Sequence, residues 1–161
     1  LFYLPLLIVA SVNLFFGIRM NMSPYETVLY IISMLFVGFI EEVIFRGFLF
    51  KAMAKDGIKS AAAVSGITFG MGHIVNLFNG SGADVKSTLL QIIYATAIGI
   101  LFVVIFLRTG SLIPCIITHS LVNSLSVFSD ESVVTSGGEI FSAAVLTVVP
   151  LAYSVYLRKK T

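Results

Sequence analysis

Two glutamates and an arginine stand in the octet IEEVIFRG at residues 40–47, inside an apolar run that begins TVLYIISMLFVGF. On insertion scales an ionisable side chain at the centre of a membrane helix costs roughly 2.5–3.5 kcal/mol, so three in one segment call for a use. Helical spacing separates them. Glu42 and Arg46 are an i,i+4 pair on one face and can neutralise each other. Glu41 points about 100° away from Glu42 and lacks that partner. A carboxylate kept from bulk water suits a general base that works near neutral pH. Two further segments carry groups that apolar burial does not explain: His73 after the small-residue stretch FGMG, and His119 with Asn123 in HSLVN, again i,i+4 on one face. Two histidines and a glutamate could alternatively hold zinc with three protein ligands, Glu41, His73 and His119. The spacing H-x-x-x-N matches no zinc signature, however, and H-E-x-x-H is absent. On the residues alone a metal-free site, with no cofactor, and a zinc site both stay open.

The elements that must position these groups are membrane helices. Of 161 residues 58% are apolar and 11% charged, against about 25% charged in a soluble domain, so the chain is a polytopic membrane protein. A net charge of +2 without any long basic run argues against a nucleic-acid partner. The single cysteine, Cys115, lies in an apolar stretch and reads as a small core residue. Six runs approach the ~17–25 residues needed to cross ~30 Å of hydrocarbon, at 1–18, 27–50, 60–79, 87–107, 111–128 and 140–157. The expected fold is thus an all-α bundle of about six transmembrane helices around a polar intramembrane cavity, with the bilayer as its solvent. The chain reads as one catalytic domain, 1–161, with its motifs inside 35–128. Because an apolar run is already under way at Leu1, upstream helices are expected to be missing.

With alternating spans, one end of the bundle carries Lys51, Lys55, Lys59, Arg108, Arg158, Lys159 and Lys160 against Asp56. The other carries Arg19 and Lys86 against Glu26, Asp84, Asp130, Glu131 and Glu139. The positive-inside rule places the first end, and the C-terminus, in the cytoplasm. Counted at ~1.5 Å per residue from that end, Glu41, Glu42 and His119 lie ~12–13 Å deep, Asn123 ~18 Å and His73 ~20 Å. Arg46, at ~6 Å, can snorkel or reach inward. Gly66, Gly70 and Gly72 read as packing positions that let helices approach around His73.

Together, EEVIFR (Glu41–Arg46), FGMGH (Phe69–His73) and HSLVN (His119–Asn123) resemble the motifs of the CPBP family of intramembrane proteases. That family is also called Abi, or CAAX protease and bacteriocin-processing, and includes the type II CAAX prenyl endopeptidases. Order and spacing both match over about residues 35–128. The resemblance implies peptide hydrolysis within the membrane. Carried over, Glu41 would activate water with His73, His119 and Asn123 would form an oxyanion hole, and Glu42 and Arg46 would support the site. It also implies a peptide or lipidated (prenylated) protein as substrate, or a bacteriocin-like peptide, at a bacterial plasma membrane. Oligomeric state is left open. Two other classes use the same groups: a non-enzymatic bacteriocin-immunity or scaffold protein, and a proton-coupled transporter, against which the short chain and lack of an internal repeat count.

Overall fold

The computed structural model describes residues 3–80 and 82–159, which form helices and loops apart from one isolated bridge between Ile18 and Ser129. Six helical segments follow one another. α1 is Leu4–Ser11, lengthened by a 3-10 turn at Val12–Leu14. α2 begins at Pro24 behind a capping box, in which the Ser23 hydroxyl accepts from the Glu26 amide and the Glu26 carboxylate accepts from the Ser23 amide. It is α-helical over Pro24–Glu42, continues as a π-helix over Val43–Phe50 and closes with an α turn at Lys51–Met53. α3 is Ile58–Gly72 with a 3-10 extension His73–Leu77.

α4, Val85–Thr109, starts where the Asp84 carboxylate accepts from the amides of Lys86 and Ser87, and it stops at Gly110 in the left-handed conformation, φ 66°. The Ser87 hydroxyl, donating to Asp84, holds that carboxyl below its usual range. α5 is Ile113–Leu125 with a 3-10 turn at Ser126–Phe128, and α6 is Ser136–Lys159.

These segments match the six expected runs in order, but not in length. Among the described residues, only Pro24–Met53, Val85–Thr109 and Ser136–Lys159 are both long and apolar enough to cross a membrane. The run expected at 1–18 is helical over Leu4–Leu14, ~16 Å, about half a bilayer core, and Ile113–Phe128 reaches ~24 Å. Hydropathy continues past both ends, but the backbone does not. After Leu14 the chain turns at Gly17, φ 142°, and is tied to the end of α5 by Asn21, whose amide donates to the carbonyls of Val127 and Ser129. Asn13 likewise donates to the Val122 carbonyl. Polar groups in the apolar count thus serve as chain ties.

α4 is the central helix. Leu101, Phe102, Val103 and Ile105 on it are fully buried. One side packs with Leu6, Val9, Leu146 and Tyr153 from α1 and α6, the other with Phe50, Ala61 and Ala62 from α2 and α3. The opposite face of α2, with Leu29, Ile32, Phe36 and Phe39 exposed, is the lipid-facing side of a membrane helix. The loops before α2, α4 and α6 lie at one end of the bundle, linked by ion pairs Lys86–Glu139 at 2.7 Å and Arg19–Asp130 at 3.8 Å. Lys160, counted with the opposite end, lies outside the described residues.

Two of the three glycines assigned to packing do pack. A Cβ on Gly66 would meet Ile100 Cγ1 at 2.8 Å, and one on Gly70 would meet the Ile92 carbonyl at 2.7 Å, so α3 and α4 touch through bare backbone. Gly72 has nothing within 4 Å of a Cβ position, and the packing reading is corrected there. The contrast is testable by thermal unfolding in detergent. Gly70→Ala will destabilise by about 1–3 kcal/mol, because backbone atoms cannot yield. Gly72→Ala will be neutral or stabilising by up to about 1 kcal/mol, since helical Gly gives up more chain entropy than Ala.

Candidate active site

The π-helical stretch begins directly after the two glutamates. Its wider winding leaves backbone carbonyls without their usual i+4 donors, and the Ser65 hydroxyl of α3 donates to the Phe45 carbonyl at 2.9 Å. Arg46 within this stretch is fully buried, as is Glu42. The guanidinium donates to Glu42 Oε1 at 2.9 Å and lies 4.3 Å over the ring of Phe69, with Phe102 at 5.4 Å and Phe45 at 5.9 Å. Room for it is made by Gly99, where a Cβ would stand 3.0 Å from Arg46 Nη2. Arg46 therefore reaches inward, and the snorkelling alternative is corrected. In an aromatic cage the cation keeps an electrostatic partner after losing water.

Glu42 has a second partner that its spacing does not reveal. Its Oε1 also accepts from His119 Nδ1 at 2.9 Å, so one carboxylate oxygen joins α2 to α5. The close approach of these helices depends on Gly38, whose missing side chain leaves room for Ser120 beside it. With Nδ1 committed to Glu42, the other nitrogen of His119 faces Glu41: Nε2 stands 3.7 Å from Glu41 Oε2, too long for a hydrogen bond and short enough for an ion pair. Glu41, which spacing leaves without Arg46 as a partner, thus faces a buried imidazole across the helix interface. Its side chain remains 36% accessible.

His73 sits where α3 tightens from α to 3-10 winding. That change releases the Phe69 carbonyl from its i+4 amide, and His73 Nδ1 lies 3.2 Å from it and 3.3 Å from the Gly70 carbonyl. Carbonyls only accept, so the proton is assigned to Nδ1 and Nε2 is left as a proton acceptor. Phe69 stands edge-on to both imidazoles, with centroids 5.5 Å from His73 and 5.4 Å from His119. It was visible in the sequence as the first letter of F-x-x-x-H, without a role. The structure makes it the shared wall of the site. Nothing in the sequence marks Gly99 or Phe102, which lie in an ordinary apolar run.

The candidate residues are divided between two adjoining cavities. One, about 150 Å3, is lined by Glu41, Phe45, Phe69, His73 and Asn76 among others. The second, about 60 Å3, is lined by Phe69, His73, Gln91, His119 and Asn123 among others. His73 and Phe69 belong to both, and the 3.7 Å approach of His119 to Glu41 bridges them. Zinc would need Glu41, His73 and His119 to converge on one point. Among the described residues no three His, Cys, Asp or Glu side chains are arranged as ion ligands, so the residues present do not fit that ion.

The Glu41 carboxylate and two oriented imidazoles thus meet across two adjoining cavities, one of which the Asn123 carboxamide also lines. A family model described as type II CAAX prenyl endopeptidase Rce1-like matches residues 23–125, from the N-cap of α2 to the end of α5. The chain belongs to this family. All three motifs fall within the match, and membership makes the protein a membrane-embedded CAAX-type endopeptidase in general terms. Comparison with curated proteins and with solved structures found no match.

Proposed function

We propose that the protein hydrolyses a peptide bond of a membrane-associated or prenylated peptide by a glutamate-activated water. The observation that carries this reading is His119, held by Glu42 on one nitrogen and facing Glu41 with the other. Water placed between Glu41 and His73 gives up its proton to the Glu41 carboxylate while its oxygen attacks the scissile carbonyl. Nε2 of His73, fixed as an acceptor, orients that water. The carbonyl oxygen, becoming negative, takes hydrogen bonds from His119 Nε2–H and the Asn123 amide. For Nε2 to donate while Nδ1 donates to Glu42, His119 must carry both protons. The charges then balance, with Arg46 and His119 positive against Glu41 and Glu42. Glu41 next returns its proton to the departing amine, and the C–N bond breaks.

The test is cleavage of a peptide library by protein reconstituted in vesicles, with products mapped by mass spectrometry. Defined products are expected, and they persist in excess chelator with no stoichiometric metal by elemental analysis. Loss of cleavage on chelation with recovery on adding zinc would overturn the metal-free mechanism. An unchanged library with properly folded protein would overturn peptide hydrolysis and favour a binding role for the same cavity.

A further inference from the structure

α3 and α6 each pack along α4, yet among the described residues their backbones do not approach one another. The gap between them is a groove of about 510 Å3, within the size range of ligand pockets. Its walls follow helical spacing. On α3, Ala62 and Ala63 lie one turn below Lys59. On α6, Ser154 and Val155 lie one turn below Arg158, with Leu151 a turn deeper. Ile100 of α4 forms the floor. Small side chains at 62, 63 and 154 keep the groove open, and the Ser154 hydroxyl donates to the Pro150 carbonyl at 2.7 Å, so the space below the two cations is apolar.

Both cations are exposed at the rim, at the end of the bundle that the positive-inside rule places in the cytoplasm. No acidic side chain among the described residues lines the groove. From Arg158 to Leu151 is ~10 Å along α6, about two thirds of the ~15 Å of hydrocarbon in one leaflet. The groove is thus a cationic rim above a slot of acyl-chain depth. The apolar groove between α1 and α5, about 340 Å3, has the slot without the rim: no charged residue lines it. Lys51, at the same end of the bundle, lies 5.5 Å over the Phe106 ring and outside the groove. The groove shares no lining residue with the cavities of Glu41 and His119, so its occupant is separate from the chain that is cleaved.

We propose that this groove binds an anionic phospholipid of the cytoplasmic leaflet, with its phosphate between Lys59 and Arg158 and one acyl chain against Ala63, Ile100 and Leu151. A free phosphate would meet the cations and leave the apolar slot unfilled. A zwitterionic lipid would fill the slot but bring its own cation to the rim. An anionic lipid alone answers both, and each Lys or Arg held near an anionic membrane surface is worth about fivefold in binding. Seated there, the lipid bridges α3 and α6, which otherwise meet only through α4.

Native mass spectrometry tests this on the purified protein, titrated in neutral detergent with dioleoylphosphatidylglycerol or dioleoylphosphatidylcholine. One phosphatidylglycerol per chain should be retained, in preference to phosphatidylcholine by about 25-fold. Excess inorganic phosphate should not displace it. Lys59→Gln with Arg158→Gln should abolish the preference, whereas Lys51→Gln with Lys55→Gln, which removes the same charge at the same end, should keep it. Ala63→Phe should lower retention of both lipids by about tenfold or more, because the ring occupies the slot. Ala63 is exposed, so the thermal midpoint of that variant in lipid-free detergent should match wild type. Equal loss in the two double variants would reduce the effect to diffuse membrane electrostatics and overturn the site. Displacement by inorganic phosphate would leave an anion site without a lipid, and unchanged retention in Ala63→Phe would place the lipid elsewhere. A dimer that Ala63→Phe dissociates, with no lipid retained, would give the groove to a second copy of the chain. Each of these results overturns the proposal.

Discussion

Glu41→Gln will lower peptide cleavage by about 10²–10⁴-fold while leaving the fold intact, the range associated with loss of one positioned general base. Glutamine keeps the length and the acceptor oxygen of glutamate, so packing against α5 is preserved. What is lost is the group that takes a proton from water, and no neighbour can replace it: Glu42 is fully buried and bonded to both Arg46 and His119. Glu41 is the more accessible of the two and makes no short ion pair, its nearest approach being 3.7 Å to His119 Nε2. Its substitution should therefore shift stability by no more than about 0.5 kcal/mol, or about 2 °C in the thermal midpoint. The measurement is kcat/KM on a library-derived peptide in vesicles, beside a melting curve of the same sample. Wild-type turnover in Glu41→Gln would refute the proposed base.

Removal of the adjacent carboxylate has a different signature. Glu42→Ala will destabilise the protein by about 3–5 kcal/mol, because it leaves the Arg46 guanidinium buried without its counter-charge. The aromatic cage of Phe45, Phe69 and Phe102 recovers only part of that loss. Activity falls as well, since His119 loses the acceptor that fixes its ring. The two effects separate in the double variant Glu42→Leu with Arg46→Met. Apolar replacement of a whole buried pair is often neutral, so the double variant should unfold near the wild-type temperature. It will still cleave about 10²–10³-fold more slowly, the effect of losing one oxyanion donor, because His119 remains unoriented. Recovery of both stability and cleavage in the double variant would show that Glu42 serves the fold alone.

The pair of glutamates is asymmetric: Glu42 is sealed between Arg46 and His119, whereas Glu41 stays partly accessible and lines a cavity with His73. Phe69 reinforces the asymmetry by filling the space between the arginine and both histidines.

Relations within one helix were legible in the sequence. Glu42 and Arg46 pair at 2.9 Å as their i,i+4 spacing requires, and the six apolar runs appear as six helical segments in the expected order. The reason is that spacing along a helix fixes which side chains share a face, while hydropathy fixes which stretches leave water. Relations between helices were not legible. The Glu42–His119 bond joins residues 77 positions apart, and it depends on how far α2 and α5 are rotated and how closely they approach at Gly38. The π-helix is of the same kind: its backbone choice is supported by a hydroxyl from α3, which no local pattern within 43–50 contains. Helix lengths failed for a related reason, because Asn13 and Asn21 end their segments by bonding carbonyls more than 100 residues away. The sequence determined the groups that the membrane must enclose and their pairing along each helix; tertiary packing alone decided which of them face one another, since rotation and register are set by contacts between distant segments.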